Sequence, residues 1–266
     1  MTLDVTVIIP TRNRPEQTCR AIQSVLNQSH VPRHIVVVDD ASTDDTATQV
    51  VARFGDNVEL RLLQVQQGGN AARNYGGLRC ETRYLAFLDS DDVFLSHKLE
   101  QQIAMLEASG RGFSCTGFVT ETGQRFPLPP FSNRRLLIQN CLGGTSALVM
   151  CRKLFEQEQF NSAMLAVQDW EYYLRLVQYG PPALIPEPGY VYGVSEKDRV
   201  TCDPRKRALG HFQLFSKHIR SNPHVGWLVK FYHRKLQRSL CHAYRRDASE
   251  LPLCDRLALR MIAAII

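Results

Sequence analysis

The chain has 266 residues, 44% hydrophobic and 22% charged, with a formal net charge of +6 at pH 7. This composition excludes a wholly disordered chain, and the length allows one large α/β domain or a domain with a smaller appendage. The sequence has no run of about 18 apolar residues, the length that crosses a bilayer as a helix, and its first residues lack the basic segment of a secretion signal. Eight cysteines without a C-x-x-C pair predict reduced thiols, so we expect a cytoplasmic protein.

Apolar, β-branched segments in the first part of the chain predict four strands, at residues 5–9, 35–38, 58–65 and 84–88. Helical spacing of apolar residues predicts helices over 15–27 and 42–54, between the first three strands. Apolar strands that alternate with helices form a mainly parallel sheet covered on both faces, and ligands bind beyond the carboxyl ends of its strands. We therefore expect the functional residues directly after the strands.

Beyond the fourth strand the pattern is less regular. Leu99, Ile103 and Leu106 predict a helix, strands are predicted near 112–119, 145–150 and 183–192, and the Pro-rich residues 126–131 predict a loop. From Lys206 the sequence predicts helices, broken around Asn222-Pro223 and Leu251-Pro252. We therefore divide the chain into an α/β domain at 1–204 and a helical extension at 205–266, which carries 13 Lys and Arg against 3 Asp and Glu.

An acidic cluster of Asp89, Asp91 and Asp92 comes directly after the fourth predicted strand. Carboxylates this close repel each other unless water or a cation offsets their charge. Alternate residues of an extended segment project the same way, so Asp89 and Asp91 can converge on a hard divalent ion such as Mg²⁺ or Mn²⁺. A solvated turn that caps the next helix explains the same residues equally well.

Three other features also have a functional and a structural interpretation. Asp169 begins a helical segment, where it can take a proton from an attacking hydroxyl or simply cap the helix. Asp40 follows the second strand, where its carboxylate can accept a hydrogen bond from the N–H of a pyrimidine ring or stabilise a turn. Residues 67–76 predict a Gly-rich loop that approaches a ligand closely, with Arg73 suited to phosphate.

Five motifs, in their order along the chain, resemble those of family 2 glycosyltransferases with a GT-A fold. They are VTVIIPTRNR at 5–14, VVDDASTD at 37–44, GNAARN at 69–74, FLDSDD at 87–92 and QDWE at 168–171. The resemblance covers residues 4–195. It implies a Rossmann-like α/β fold, with a mixed, mainly parallel sheet flanked by helices and followed here by the helical extension. It also implies inverting transfer of a sugar from a nucleotide-diphospho-sugar, by direct displacement at the anomeric carbon.

The resemblance places a donor site along the strand ends. Pro10, Thr11 and Asp40 match positions where the family binds the base and ribose. Arg73 lies in the donor-site loop, and Ser90 adds a further donor contact. Asp40 and the family pattern favour a UDP-sugar.

The resemblance also implies a metal site and a catalytic base. Asp89 and Asp91 match the D-x-D positions that hold Mn²⁺ or Mg²⁺, with Asp91 as the direct ligand and Asp89 also facing the donor. Asp169 matches the catalytic base, although Gln168 replaces the acidic residue often found before it. This replacement alters the surroundings of the base but leaves its carboxylate.

Smaller features complete the pattern. Residues 143–146 (GGTS) precede a predicted strand, where such enzymes often shape the acceptor pocket, but a simple turn explains them as well. Trp170 can stack on a sugar or pack in the core, and we expect packing. By analogy alone, residues 199–201 belong to a mobile loop near the diphosphate.

The basic extension mixes cationic and apolar residues at helical spacing, at 227–240 and 257–266. Such helices lie on an anionic membrane surface or pack on the domain with a solvated basic face, and the sequence favours neither. A saccharide or lipid-linked saccharide acceptor, as in bacterial surface-polysaccharide biosynthesis, would suit an enzyme peripheral to the inner face of the cell membrane.

Three rival functions explain only part of the pattern. A sugar-nucleotide nucleotidyltransferase should have a Gly-rich, basic loop after the first strand, where this chain has PTRN at 10–13. A glycoside hydrolase uses paired carboxylates but needs no nucleotide-binding strand ends. A non-catalytic nucleic-acid-binding module would explain the basic extension but not the acidic strand ends, so we expect no nucleic-acid partner.

Overall fold

The computed structural model describes residues 2–193, 203–220, 222–223 and 225–246, with side chains of the last helix described to Arg238. The strands are β1 (Thr2–Thr11), β2 (Val31–Asp39), β3 (Glu59–Leu62), β4 (Tyr84–Phe87), β5 (Val93–Phe94), β6 (Phe113–Thr120), β7 (Arg125–Phe126), β8 (Leu148–Cys151) and β9 (Ala183–Tyr192). They form one sheet in the order β3-β2-β1-β4-β8-β6-β9-β5, with β7 paired to β6.

Helices cover the sheet and form the described part of the extension. They are α1 (Pro15–Leu26), α2 (Thr46–Phe54), α3 (Gly69–Gly77), α4 (Lys98–Ser109), α5 (Asn133–Ile138), α6 (Arg152–Gln157), α7 (Gln168–Leu176), α8 (Pro204–Leu214) and α9 (Trp227–Arg246). A π-helical segment, Phe215–Arg220, directly continues α8. The result is the mixed, helix-flanked α/β architecture that the sequence predicts.

The first half of the sheet is parallel, from β3 through β2 and β1 to β4. Residues 5–9 of β1 are all buried, as expected for a strand covered on both faces. Thr11 pairs with Asp39, and Ile8 pairs with Phe87, so β1, β2 and β4 end at the same edge. This register gathers the residues after each strand into one place.

The second half of the sheet is mixed. Strand β8 is antiparallel to both β4 and β6, and β9 runs parallel to β6. The three strands predicted in this region are confirmed as β6, β8 and β9, while the predicted loop at 126–131 begins inside the two-residue strand β7. Short β7 pairs with β6 at Phe118 and Val119.

The prediction of a Gly-rich loop at 67–76 is wrong for most of its length, because helix α3 begins at Gly69. Gly68 has a φ of 91°, a backbone conformation that turns the chain into the helix. A Cβ on Gly76 would lie 2.8 Å from Ile8 Cγ2 and 3.1 Å from Val38 Cγ2. Gly76 therefore lets the helix lie directly on the sheet, and this packing outweighs the low helix propensity of glycine.

The extension packs on the rest of the chain through an apolar surface. Leu214, Phe215, Ile219, Val225 and Val229 are buried in the same hydrophobic cluster as the sheet. The predicted break at Asn222-Pro223 is confirmed, because it lies between the π-helical segment and α9. The predictions for 199–201, Leu251-Pro252 and 257–266 lie outside the described residues. Within the described ranges, no helix has the length and apolar character to cross a membrane.

Candidate functional site

The ends of β1 and β2 form one wall of the candidate site. Thr11 is buried, and its hydroxyl lies 2.6 Å from that of Thr18. The backbone N–H of Asp40 donates to the Thr11 carbonyl at 2.9 Å, so the two strand ends remain joined where the regular strands stop. Pro10 and Thr11 therefore lie beside Asp40, as the sequence predicts.

Asp40 is buried and organises the turn that leads into α3. Its Oδ1 accepts a hydrogen bond from the N–H of Gln67 at 2.6 Å, and its Oδ2 accepts one from the N–H of Gly68 at 2.7 Å. The turn-stabilising interpretation of Asp40 is thus correct. Each carboxylate oxygen has a second lone pair, so a contact with a pyrimidine N–H stays a prediction.

Arg73, on α3, reaches across to the acidic cluster. Its Nη2 donates to Asp89 Oδ1, and its Nη1 donates to Asn70 Oδ1 at 2.9 Å. The guanidinium is buried, and its Nε has no hydrogen-bond partner in the part of the chain that the structure describes. Arg73 therefore offsets the charge of Asp89 at the position predicted for donor phosphate.

Asp91 pairs with a second arginine. Its Oδ2 lies 3.2 Å from Arg14 Nη1, and both side chains are partly exposed. The backbone N–H of Arg14 donates to Thr46 Oγ1 at 3.0 Å, which fixes the segment after β1 against the start of α2. The two D-x-D carboxylates thus face different arginines from different elements.

Asp92, in contrast, is buried and held within the protein. Its Oδ2 accepts a hydrogen bond from Ser146 Oγ at 2.6 Å, and its Oδ1 accepts one from the N–H of Gly193 at 3.0 Å. Burial, followed by the charges of Asp89 and Asp91, raises the pKa of Asp92 well above its ordinary value. Asp92 is therefore a structural member of the cluster.

Ser146 connects the cluster to the strand beside it. Besides donating to Asp92, its Oγ accepts a hydrogen bond from the backbone N–H of Asp89 at 3.0 Å. Ser90 is also buried, so the backbone of this turn is closely packed. No sequence pattern predicted this role of Ser146, although the GGTS motif marked its position.

Asp169 lies in the first turn of α7, half-buried, with both oxygens hydrogen-bonded. Its Oδ2 accepts from Asn140 Nδ2 at 2.9 Å, and its Oδ1 accepts from the N–H of Trp170 at 2.8 Å. Burial is the largest influence and raises the pKa of Asp169 from 3.8 to about 6, with the charge of Asp89 adding to the rise. Such a carboxyl is ionised at neutral pH yet basic enough to accept a proton.

The turn at 143–146 supports both acidic groups. Gly143 has a φ of 86°. The N–H of Gly144 donates to the Tyr190 hydroxyl at 3.1 Å, and the Tyr173 hydroxyl donates to the Gly144 carbonyl at 3.0 Å. A turn is therefore present, as one interpretation predicted, but it is fixed between α7 and β9 and bears Ser146.

Trp170 packs in the core, as expected. It is buried, and its Nε1 donates to the Leu136 carbonyl at 2.6 Å. Its ring lies 5.8 Å from the His211 ring and 5.7 Å from the His233 ring. The residue after Asp169 thus contacts both helices of the extension.

Glu171 forms a second link to the extension, one that the sequence analysis missed. The fully buried carboxylate accepts hydrogen bonds from Arg175, at 2.9 Å, from Lys217, at 2.8 Å, and from His218, at 3.1 Å. Burial alone would raise its pKa, but the hydrogen bonds from His218, Arg175 and Lys217 prevail and lower it to about 2. In the sequence, these partners appear only as an acidic residue of the QDWE motif and basic residues of the extension, 46 and 47 positions later.

The acidic cluster offers oxygen atoms of the kind that divalent cations bind. Asp89 and Asp91 are both partly exposed and offer the oxygen ligands that hard cations prefer. No group of three or more His, Cys, Asp or Glu capable of holding a metal occurs among the described residues. In proteins, Mg²⁺ is usually bound by one or two carboxylates together with substrate phosphates and water.

Comparison with known proteins gives a consistent result. The family model described as glycosyl transferase family 2 matches residues 6–166. The chain is 29% identical over 176 residues, or 65% of its length, to UDP-Glc:alpha-D-GlcNAc-diphosphoundecaprenol beta-1,3-glucosyltransferase WfgD of Escherichia coli, of which it covers 68%. It is 27% identical to the succinoglycan biosynthesis protein ExoO of Rhizobium meliloti, with 99% of this chain and 80% of ExoO covered.

Other matches set the limits of these similarities. Four more curated glycosyltransferases are matched over only 16% to 51% of their own length. Among solved structures, the mannosyltransferase PcManGT of Pyrobaculum calidifontis, in complex with GDP-Man and Mn²⁺, superimposes with a TM-score of 0.65. It is 19% identical, with 100% of this chain and 81% of PcManGT covered, which shows the shared fold.

Proposed function

The chain belongs to glycosyl transferase family 2 and is a glycosyltransferase, and we propose that it transfers a sugar, with inversion, from a UDP-sugar. The acceptor is a saccharide or lipid-linked saccharide in bacterial surface-polysaccharide biosynthesis. One observation carries the mechanism: Asp169, with its raised pKa, and the Asp89–Asp91 pair meet around one end of the sheet. Family membership removes support for the nucleotidyltransferase, hydrolase and nucleic-acid-binding alternatives.

The donor site in this proposal follows the ends of β1, β2 and β4. Pro10, Thr11 and Asp40 contact the base and ribose, while Arg73 and Ser90 lie on the diphosphate side. The close approach of backbone at Gln67 and Gly68, which Asp40 holds, supports this arrangement. The UDP named in the description of WfgD supports uridine over other bases.

Asp89 and Asp91 are the residues that would hold Mn²⁺ or Mg²⁺, with Asp91 as the direct ligand. Bound there, the ion would neutralise charge on the departing diphosphate. The arginines that now face these carboxylates, Arg73 and Arg14, also provide positive charge beside the donor phosphates. The Mn²⁺ in the PcManGT complex supports a divalent ion in a protein of this fold.

Asp169 is the general base. It takes the proton from the acceptor hydroxyl while that oxygen attacks the anomeric carbon, and the bond from this carbon to the diphosphate breaks. The nucleoside diphosphate leaves from the opposite face, so the configuration inverts. Asn140 holds the carboxylate in place through the hydrogen bond to Oδ2.

We place the enzyme in the cytoplasm, peripheral to the inner face of the membrane, with residues 1–204 catalytic and 205–266 as the membrane-facing extension. The diphosphoundecaprenol named for WfgD supports a lipid-linked acceptor. The contacts of Trp170 and Glu171 support a close connection between the extension and α7, the helix that bears Asp169.

A screen of UDP-, GDP- and TDP-sugars for Mn²⁺-dependent protection against thermal unfolding tests the proposal, since a specific ligand stabilises the folded state. We expect a UDP-sugar to raise the unfolding temperature only with the metal. Asp169→Asn should keep this shift but lose transfer, whereas Asp91→Ala should lose the metal-dependent shift. The exposed-residue variant Asp56→Asn serves as the control. Absence of any shift, or the reverse phenotypes, would overturn the proposal.

A further inference from the structure

Helix α9 has an inner face that fastens it to the rest of the protein. Val229, His233 and Gln237 are buried at intervals of four residues, which places them on one side of a helix. The His233 ring Nε2 lies 2.6 Å from the Leu137 carbonyl, and Gln237 Nε2 donates to the His211 carbonyl at 3.3 Å. The orientation of α9 is therefore fixed, and so is the side that it turns outward.

The outward side carries four large apolar residues in its first two turns. Trp227 is 72% exposed, Leu228 56%, Phe231 60% and Tyr232 43%. Soluble proteins expose single apolar side chains routinely, but a contiguous apolar group of this kind marks a surface that binds something. Two of the four are Trp and Tyr, the residues that favour the boundary between lipid and water.

Positive charge follows on the same side. Arg234, Lys235 and Arg238 are exposed and lie six to eleven residues after Trp227 and Leu228, on the side opposite the buried residues. Between Trp227 and Arg238 the sequence has four Lys or Arg and no Asp or Glu. Exposed aromatic residues beside cationic residues, in a stretch without Asp or Glu, are complementary to an anionic bilayer, whereas a protein partner would not require this combination.

The position of α9 relates this surface to one side of the catalytic site. Its inner face contacts α5 through His233 and Leu137. The segment just after α5 bears Asn140, whose amide holds Asp169. The ends of β1 and β2 lie on the other side of Asp89, near α1 and α2. Helix α9 is thus attached to the side of the site that bears the base.

We infer that the outer face of α9, formed by Trp227, Leu228, Phe231, Tyr232, Arg234, Lys235 and Arg238, docks on an anionic lipid surface. Docking turns the Asp169 side of the site toward the bilayer, where a lipid-linked acceptor arrives, and leaves the strand-end side open to the nucleotide sugar in water. The orientation of the acceptor rests on the proposed function. The lipid contact deepens the membrane-facing role proposed above for residues 205–266, but it does not depend on sugar transfer.

Sedimentation with vesicles tests the lipid contact on the full chain without any nucleotide sugar. Wild type should bind vesicles that contain phosphatidylglycerol, bind pure phosphatidylcholine weakly, and lose affinity as salt rises. Trp227→Ser with Phe231→Ser should lower the partition coefficient by about 100-fold, because two large apolar side chains are no longer available to insert into the lipid. Arg234→Gln with Lys235→Gln should cost about fivefold per residue and reduce the salt dependence.

A control comes from exposed apolar residues on α2 and β3. Val51 is 58% exposed and Leu62 is 54% exposed, so Val51→Ser with Leu62→Ser removes exposed apolar side chains elsewhere on the surface. This variant should bind vesicles as wild type does. Equal loss in the control, or no binding of wild type to phosphatidylglycerol, overturns the inference. A change of oligomeric state in the aromatic variant, without vesicle binding by wild type, would instead identify a second copy as the occupant.

Transfer assays separate this inference from the proposed function. With a water-soluble acceptor and no vesicles, the aromatic variant should match wild type. With a lipid-linked acceptor in anionic vesicles, it should lose activity in proportion to its lost binding. Vesicle binding without transfer to any acceptor would contradict only the proposed function. Transfer to both acceptors at wild-type rates by a variant that no longer binds would contradict the orientation proposed here.

Discussion

Asn140 Nδ2 lies 2.9 Å from Asp169 Oδ2 and donates a hydrogen bond to it. The same Nδ2 lies 2.8 Å from the Gly143 carbonyl oxygen, so one amide group joins the proposed base to the turn that bears Ser146. A hydrogen bond to a carboxylate favours its charged form and thus acts against burial, which raises the pKa of Asp169. The position and the protonation of the base therefore depend on the same residue.

Replacement of Asn140 by alanine should raise the pKa of Asp169 further, because the charged form loses a donor. We expect the acid limb of kcat/KM to move up by about one pH unit, and kcat/KM at pH 7 to fall about twofold as a result. Binding of the nucleotide sugar should be unchanged. Asn133→Ala, at an exposed position on α5, is the matched control. An unshifted acid limb in Asn140→Ala would rule out this role.

The wild-type enzyme should itself show an acid limb near pH 6. Burial raises the pKa of Asp169 to about 6, and only the deprotonated carboxylate accepts the acceptor proton, so activity falls as pH drops through this value. Asp169→Asn should abolish the limb and reduce kcat by about 10²- to 10⁴-fold. A pH profile of kcat/KM checks both points. A limb near the ordinary aspartate value would contradict the assignment.

Ser146→Ala should weaken the acidic cluster. It removes the hydroxyl that donates to Asp92 and accepts from the Asp89 N–H, and leaves the buried Asp92 carboxylate without this donor. We expect the free energy of unfolding to fall by about 1–3 kcal/mol, with weaker metal-dependent donor binding. Chemical denaturation and donor titration measure the two effects. The exposed Ser109→Ala should change neither.

Glu171→Gln should loosen the extension at neutral pH. The pKa of Glu171 is lowered from 4.5 to about 2, so its stabilisation is complete above pH 4.5 and is lost as pH falls toward 2. This lowering of the pKa corresponds to roughly 3 kcal/mol in the free energy of unfolding at neutral pH. Denaturant unfolding at pH 7 and pH 3 should show a smaller acid-induced loss in Glu171→Gln than in wild type. Glu107→Gln, which alters an exposed pair with Arg83, should keep the wild-type pH dependence.

Gly76→Ala should destabilise the protein although alanine is the better helix former. The added Cβ would lie 2.8 Å from Ile8 Cγ2, in the buried contact between α3 and β1. We expect a loss of about 1–3 kcal/mol from overpacking, measured by chemical denaturation. Gly226→Ala is the control, because its added Cβ would lie within 4 Å of no described residue other than its neighbours in the chain. A stabilised Gly76→Ala would show that the helix can move off the sheet.

Local pattern determined the parallel half of the fold. The segments at 5–9, 35–38 and 84–88 are apolar over strand length, and a strand buried on both faces needs such a run. Because parallel strands end at one edge, strand assignment alone brought Thr11, Asp40 and Asp89 together. The order of the motifs then indicated the family that the comparisons establish.

Tertiary contacts decided what each site residue touches. Neither Asn140 nor Ser146 stands near its carboxylate partner in the sequence. Ser146 reaches the acidic cluster because β8 joins the sheet next to β4, whereas Asn140 reaches Asp169 because α5 packs against α7. The buried Glu171 likewise acquires partners from the π-helical segment more than forty residues later. Residue spacing contains no information about such contacts, because they depend on how the elements pack.

The Asp89–Asp91 pair shows both what the local sequence determines and what the packing of elements decides. Its place after a hydrophobic strand is a local property, readable from the sequence because burial requires apolar residues up to the strand end. Its pairing with Arg73 and Arg14 arises only when α3 and the segment after β1 fold against the same edge. The sequence determined where carboxylates would gather, and packing decided which charges face them.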